Sequence, residues 1–144
     1  MDTRAHSIPT WVSPDHQQVR DLLTITKHHR DDYTRGVWDG ADWACGWPVS
    51  REAAGDEMTD ALPERNTDRE KAGRADVLAW LMGFAAAPIE IPRRNSDGTV
   101  VTAEQLYAEM VDDHPLPPIA EERRDMQDKA RRQAARWAAL ADLS

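Results

Sequence analysis

Residues 31–48 read DDYTRGVWDGADWACGWP, and they hold three of the six tryptophans, three of the seven glycines and the single cysteine. Wound as a helix, Tyr33, Gly36, Val37, Gly40, Ala41 and Ala44 fall at spacings of three and four and share one face. Gly36, Gly40 and Ala44 make that face flat, which predicts a helix–helix contact where a second backbone approaches closely. Trp38 points elsewhere, while Trp43 and Trp47 follow a neighbouring stripe. Asp31 or Asp32 supplies the N-cap, and Gly46 with Pro48 stops the helix.

Upstream, Ser13-Pro14-Asp15 is a helix-start signal, a hydroxyl followed by proline and an acid. Val19, Leu22 and Leu23 form the apolar stripe of that helix, and β-branched Thr24-Ile25-Thr26 weakens its end. A boundary near 28–32 follows; one bent helix over 14–46 is the alternative. Residues 1–12 read as a flexible tail that Trp11 and Val12 are placed to anchor.

Downstream, Ser50 is positioned to cap a short helix carrying Met58 and Leu62, but Gly55, Pro63 and Asn66 interrupt it. Residues 55–67 therefore read as a long, mobile surface loop. Asp68 caps the next helix, whose ADVLAWLMGFAAAP run (75–88) is apolar on nearly all sides. That run predicts a central buried helix over 76–87, ended by Pro88. Ile89 and Ile91 alternate with Glu90, Asp97-Gly98 marks a turn and Val100-Val101 follow, the pattern of a β-hairpin. Thr102 with Gln105 has capping-box form, and HPLPP (114–118) is a stiff connector. The last helix runs from about Pro118 to Leu140 or beyond. Its Met126, Ala130, Ala134, Trp137 and Ala141 form a heptad-like seam for which the glycine face of residues 33–44 is the natural partner. The expected fold is mainly α, a compact bundle of about five helices around a buried central helix, with one small β-hairpin, in a single domain over 13–144.

Charge narrows the partners. The formal net charge of −8 is spread along the chain, and no basic arm exists to neutralise phosphates, so duplex nucleic-acid binding is not expected. No apolar run approaches the length that crosses a bilayer, and the first ten residues carry no apolar signal region. With one cysteine there is no internal disulfide, which suits a reducing, cytoplasmic setting. Fifteen arginines against three lysines, with abundant alanine, is the bias of GC-rich coding and points to a high-GC bacterium or its phage.

Candidate chemistry is sparse. His28, His29, Asp31 and Asp32 cluster, and Asp112, Asp113 and His114 make a second group. Neither has established ligand spacing, and polar residues at element boundaries explain both. Glu121, Glu122, Asp125 and Asp128 interleave with arginines, the pattern of a solvated helix face. Cys45 sits at the helix end that does not lower a thiol pKa, among Trp43, Ala44 and Trp47, and reads as a buried small hydrophobe. No glycine-rich phosphate loop occurs. The sequence therefore assigns no catalytic residue, metal or cofactor. The leading expectation is a non-enzymatic inhibitor or adaptor that binds another protein through Trp38, Trp47 and Trp11. The alternatives are a self-assembling structural subunit, and a metal-dependent enzyme using His28, His29, Asp32 and His114.

Overall fold

The computed structural model describes residues 8–143 and is mainly helical: α1 (His16–Thr26), α2 (Asp32–Gly46), α3 (Arg51–Ala61), α4 (Arg69–Leu81), α5 (Ala103–Asp113) and α6 (Ala120–Ala141). Packing divides it into two compact units, residues 8–91 with α1–α4 and residues 92–143 with α5 and α6. The sequence reads as one domain over 13–144, with the turn-rich stretch 92–98 taken as part of a hairpin. Of the expected tail, residues 1–7 lie outside the described residues. From Ile8 onward Val12 is buried, and the Trp11 indole donates to the Val49 carbonyl at 2.9 Å.

Local signals explain where the helices start. Asp31 accepts the Thr34 amide at 2.7 Å and caps α2, which holds its carboxyl below the usual carboxylate range. Asp68 caps α4 through the Lys71 amide, and Thr102 with Gln105 closes a capping box on α5. Asp15, rather than Ser13, caps α1; the Ser13 amide donates instead to the Leu81 carbonyl at 2.8 Å. α1 continues through Thr26, whose hydroxyl is satisfied on the Leu22 carbonyl at 2.7 Å.

The first unit is organised by α2 against α4. A Cβ on Gly36 would stand 1.9 Å from the Glu70 carbonyl oxygen, and one on Gly73 would stand 2.1 Å from that of Tyr33. Gly40 faces the Val77 side chain in the same way, at 2.7 Å. Each helix thus lacks a side chain where the other's backbone passes. Val19, Leu22, Val37, Ala41, Ala44, Cys45, Val77, Leu78 and Leu81 are all fully buried around this crossing. The glycine face of α2 is therefore covered by α4, not by the alanine seam of α6 as the sequence suggested.

Three further expectations differ. Residues 51–61 form a helix capped by Ser50, with Ala54 and Ala61 buried, and the irregular part is confined to the exposed turn at 62–67. Gly55 is tolerated there because a helix accepts glycine at a cost of about 1 kcal/mol. The apolar run after Asp68 stays helical only to Leu81: Gly83 adopts φ +86° and ends α4, so 83–86 are exposed. No strand forms among the described residues. A single bridge joins Arg94 to Val100 around a turn at Gly98, because Pro92 lacks an amide donor and Ile89 and Ile91 pack on the first core instead of pairing.

In the second unit Val101, Leu106 and Ala130 are buried, with Tyr107, Met110, Ala134 and Trp137 packed against them. The alanine seam of α6 is thus met by α5. Asn95 and Gln105 exchange side-chain hydrogen bonds, and Arg93 pairs with Glu109 at 2.7 Å, so the 95–99 turn is tied to α5.

Two glycine substitutions separate close packing from propensity. Gly36→Ala forces α2 and α4 apart and is expected to cost about 1–3 kcal/mol or more through overpacking. Gly55→Ala meets nothing nearer than the Met82 methyl at 3.4 Å and is expected to gain about 0.5–1 kcal/mol. Urea denaturation of the two variants measures both; equal effects would mean that the crossing is not held by its glycines.

Candidate functional site

The end of α2, the start of α3 and the end of α4 meet at one end of the first unit. Ser50 caps α3 by accepting the Ala53 amide at 3.1 Å, which places Arg51 at the first helical position. The Arg51 guanidinium lies 5.3 Å from the Phe84 ring centroid, and its Nη2 donates to the Met82 carbonyl at 3.4 Å. α4 stops in a Schellman turn: the Gly83 amide donates to Trp80 and the Phe84 amide to Ala79, at 3.0 and 2.8 Å. The left-handed Gly83 swings Phe84 outward, where it is 63% exposed. Trp47, the extended C-cap of α2, is 51% exposed. This end therefore presents two large apolar side chains, one of them, Phe84, with a cation over its ring.

The other expected anchors are placed differently. Trp38 is half-buried with its ring centroid 6.1 Å from that of His29, whose Nδ1 is buried without a hydrogen-bond partner among the described residues. Trp11 is half-buried over Val49. Phe84 was missed in the sequence because it sits inside an apolar run; the signal available was Gly83 directly before it.

Polar groups gather elsewhere on the unit. The Tyr33 hydroxyl donates to Asp76 at 2.6 Å, and Arg65 grips the same carboxylate through Nε and Nη2 at 2.9 and 3.0 Å. The Arg69 guanidinium lies 4.9 Å from the Tyr33 ring centroid. Burial, then the hydrogen bond to Asp76 and its negative charge, push the Tyr33 hydroxyl up to about 12. Arg74 reaches Glu57 at 3.2 Å and Asp39 at 4.0 Å, so α4 is bound to both α3 and α2. A cleft of about 470 Å³ between α3 and α4 is lined by Glu57, Asp60, Asp68, Glu70, Lys71 and Arg74. Its bases are engaged, Arg74 with Glu57 and Lys71 with Glu64.

Nucleophilic chemistry has no support at Cys45. It is wholly buried, and burial, with Asp42 nearby, pushes its thiol up to about 12, so it stays protonated at neutral pH. His28, His29 and Asp32 belong to the first unit, and His114 to the second, where its Nε2 pairs with Glu122 at 2.9 Å. Among the described residues no three His, Cys, Asp or Glu side chains are grouped to hold a metal ion. No described helix is long and apolar enough to cross a membrane. A smaller cleft of about 280 Å³ in the second unit is lined by Glu104, Tyr107, Gln127 and Arg131.

Comparison with protein-family models, with curated proteins and with solved structures finds no match to the chain.

Two measurements check these environments. Cys45 is expected to react with a thiol reagent at pH 8 only at the rate of unfolding, and rapid labelling of the folded protein would contradict its burial. Tyr33 ionises less readily folded than unfolded, so its contribution is complete below pH 10 and is lost as pH rises toward 12. Tyr33→Phe is expected to cost about 1 kcal/mol at neutral pH and to flatten the fall in stability over that window.

Proposed function

We propose that the chain is a small acidic, non-enzymatic interaction protein, an inhibitor or adaptor that binds another protein through the Trp47–Phe84 end of its first unit. The observation that carries this reading is the pair of exposed apolar side chains, Trp47 and Phe84, with the Arg51 guanidinium over one of them. Exposed apolar surface rimmed by polar groups is characteristic of binding sites, and Trp and Arg dominate binding energy where it is concentrated. Both side chains stand on backbone already fixed by a helix cap and a Schellman turn, so ordering them on binding costs little. The charge of −8 supports fast encounter with a basic partner more than it supports affinity. A cytoplasmic setting suits a chain whose one thiol is buried and protonated.

The test is affinity capture from the native host with wild-type bait and with Trp47→Ala and Phe84→Ala baits, followed by titration of the purified partner. Each substitution is expected to weaken binding by about 2–4 kcal/mol while the melting temperature holds. Trp38→Ala is expected instead to lower stability, because that ring rests on His29. Normal binding by both exposed-site variants would place the interface elsewhere. Binding that collapses with salt but ignores both substitutions would point to the acidic surface instead.

A further inference from the structure

The long helix of the second unit has a second face that α5 does not meet. Glu121, Asp125, Asp128, Arg132, Ala135, Ala139 and Leu143 step by four, three, four, three, four and four, and every one is exposed. This is a heptad-spaced seam on the side of α6 away from Ala130. Its charge is sorted by position. Residues 121–128 carry four acids and two arginines, whereas 129–136 carry four bases and no acid.

The helix dipole does not account for that sorting. Glu121 and Glu122 lie in the first turn, where the dipole favours acids, but the last turn contains no base. The bases sit in mid-helix, where the dipole exerts little effect. Pairing within the helix accounts for it only in part. Asp128 engages Arg131 at 2.7 Å, but Asp125, Lys129 and Arg132 have no ion-pair partner among the described residues. Beyond the two ends of the helix apolar side chains are exposed: Leu116 in the preceding connector is 72% exposed, and Leu143 in the following turn 57%.

We propose that this face of α6 pairs with the same face of a second copy, the two helices running antiparallel across a two-fold axis near Ala130. That arrangement alone brings the acidic half of each helix against the basic half of the other. Asp128 of one copy lies beside Arg132 of the other, and Asp125 comes within reach of Arg136. Leu143 reaches the connector before the other copy's helix, where Leu116 is exposed, and Ala135 and Ala139 allow the backbones to close. Antiparallel helices also oppose their dipoles favourably. A parallel pair would set acid on acid and base on base. Because the interface is isologous, each complementary contact occurs twice. The inference rests on the second unit and is independent of the reading of Trp47 and Phe84.

The test is the mass of the full chain by sedimentation equilibrium at low and high salt. A dimer that weakens as salt rises is expected, since its pairs are largely solvent-exposed. A chain with Asp125→Lys and Asp128→Lys, and another with Arg132→Glu and Arg136→Glu, should each dimerise at least about tenfold more weakly alone. Mixed together, the two should recover a heterodimer. Helical circular dichroism and the melting temperature of each variant report whether it is folded; Leu143→Asp gives a second disruption that leaves the charges in place. A wild-type chain that is monomeric at every concentration overturns the proposal. So does a dimer that neither charge reversal nor Leu143→Asp weakens, or two reversed chains that do not pair when mixed.

Discussion

The close passage of α2 across α4 is the constraint on which the first unit depends. Gly36 admits the carbonyl of Glu70, and Gly73 returns the arrangement by admitting that of Tyr33. A single methyl at either point would need space that backbone occupies, and backbone cannot rotate aside as a side chain can. Each glycine costs about 0.5–1 kcal/mol in helix propensity, which the packing of two backbones at short range offsets. With the helices so near, Tyr33 can reach Asp76, and Arg74 can span to Asp39 and Glu57. Valines, alanines and leucines of modest size then suffice to fill the space around the crossing.

The second unit is held by different means. Its buried set is small, and much of its order comes from polar contacts: the Thr102–Gln105 capping box, the Asp97–Thr99 turn, the Asn95–Gln105 exchange and the Arg93–Glu109 pair. Each of these lies in solvent and contributes little alone. The Trp137 indole nitrogen is buried there without a hydrogen-bond partner among the described residues, so its ring contributes volume rather than polarity. α6 is the longest helix and has one buried residue, Ala130, with the rest half-buried or exposed.

The ionisable groups of the first unit mostly serve its architecture. Asp76 joins Tyr33 to Arg65, and Arg74 ties three helices together. A tyrosine and a thiol whose protonated forms are both favoured by burial are poor starting points for acid–base or nucleophilic chemistry at neutral pH. At the end where α2 and α4 stop, the large apolar side chains of Trp47 and Phe84 stand exposed, and that exposure is what supports the proposed role in recognition.

Much of the helical layout was legible in the residues themselves. Asp31, Asp68 and Thr102 announce three helix starts because a short polar side chain can satisfy free amides using only its neighbours in sequence. The flat face of Gly36, Gly40 and Ala44 was legible for the same reason, since helical periodicity is local. What lay across that face was not, because the choice between α4 and α6 depends on Gly73 and on which backbone reaches it. Nor does apolar composition reveal that Gly83 turns left-handed and leaves Phe84, hydrophobic by type, in solvent. The hairpin pattern of 89–101 failed in the same way: alternation permits a strand, but Ile89 and Ile91 gained more by packing on a core that only the folded chain creates. Caps and periodicity are decided within a few residues. Partners, exposure and pairing are decided by which distant surfaces compete for the same side chains, and that competition exists only in the tertiary structure.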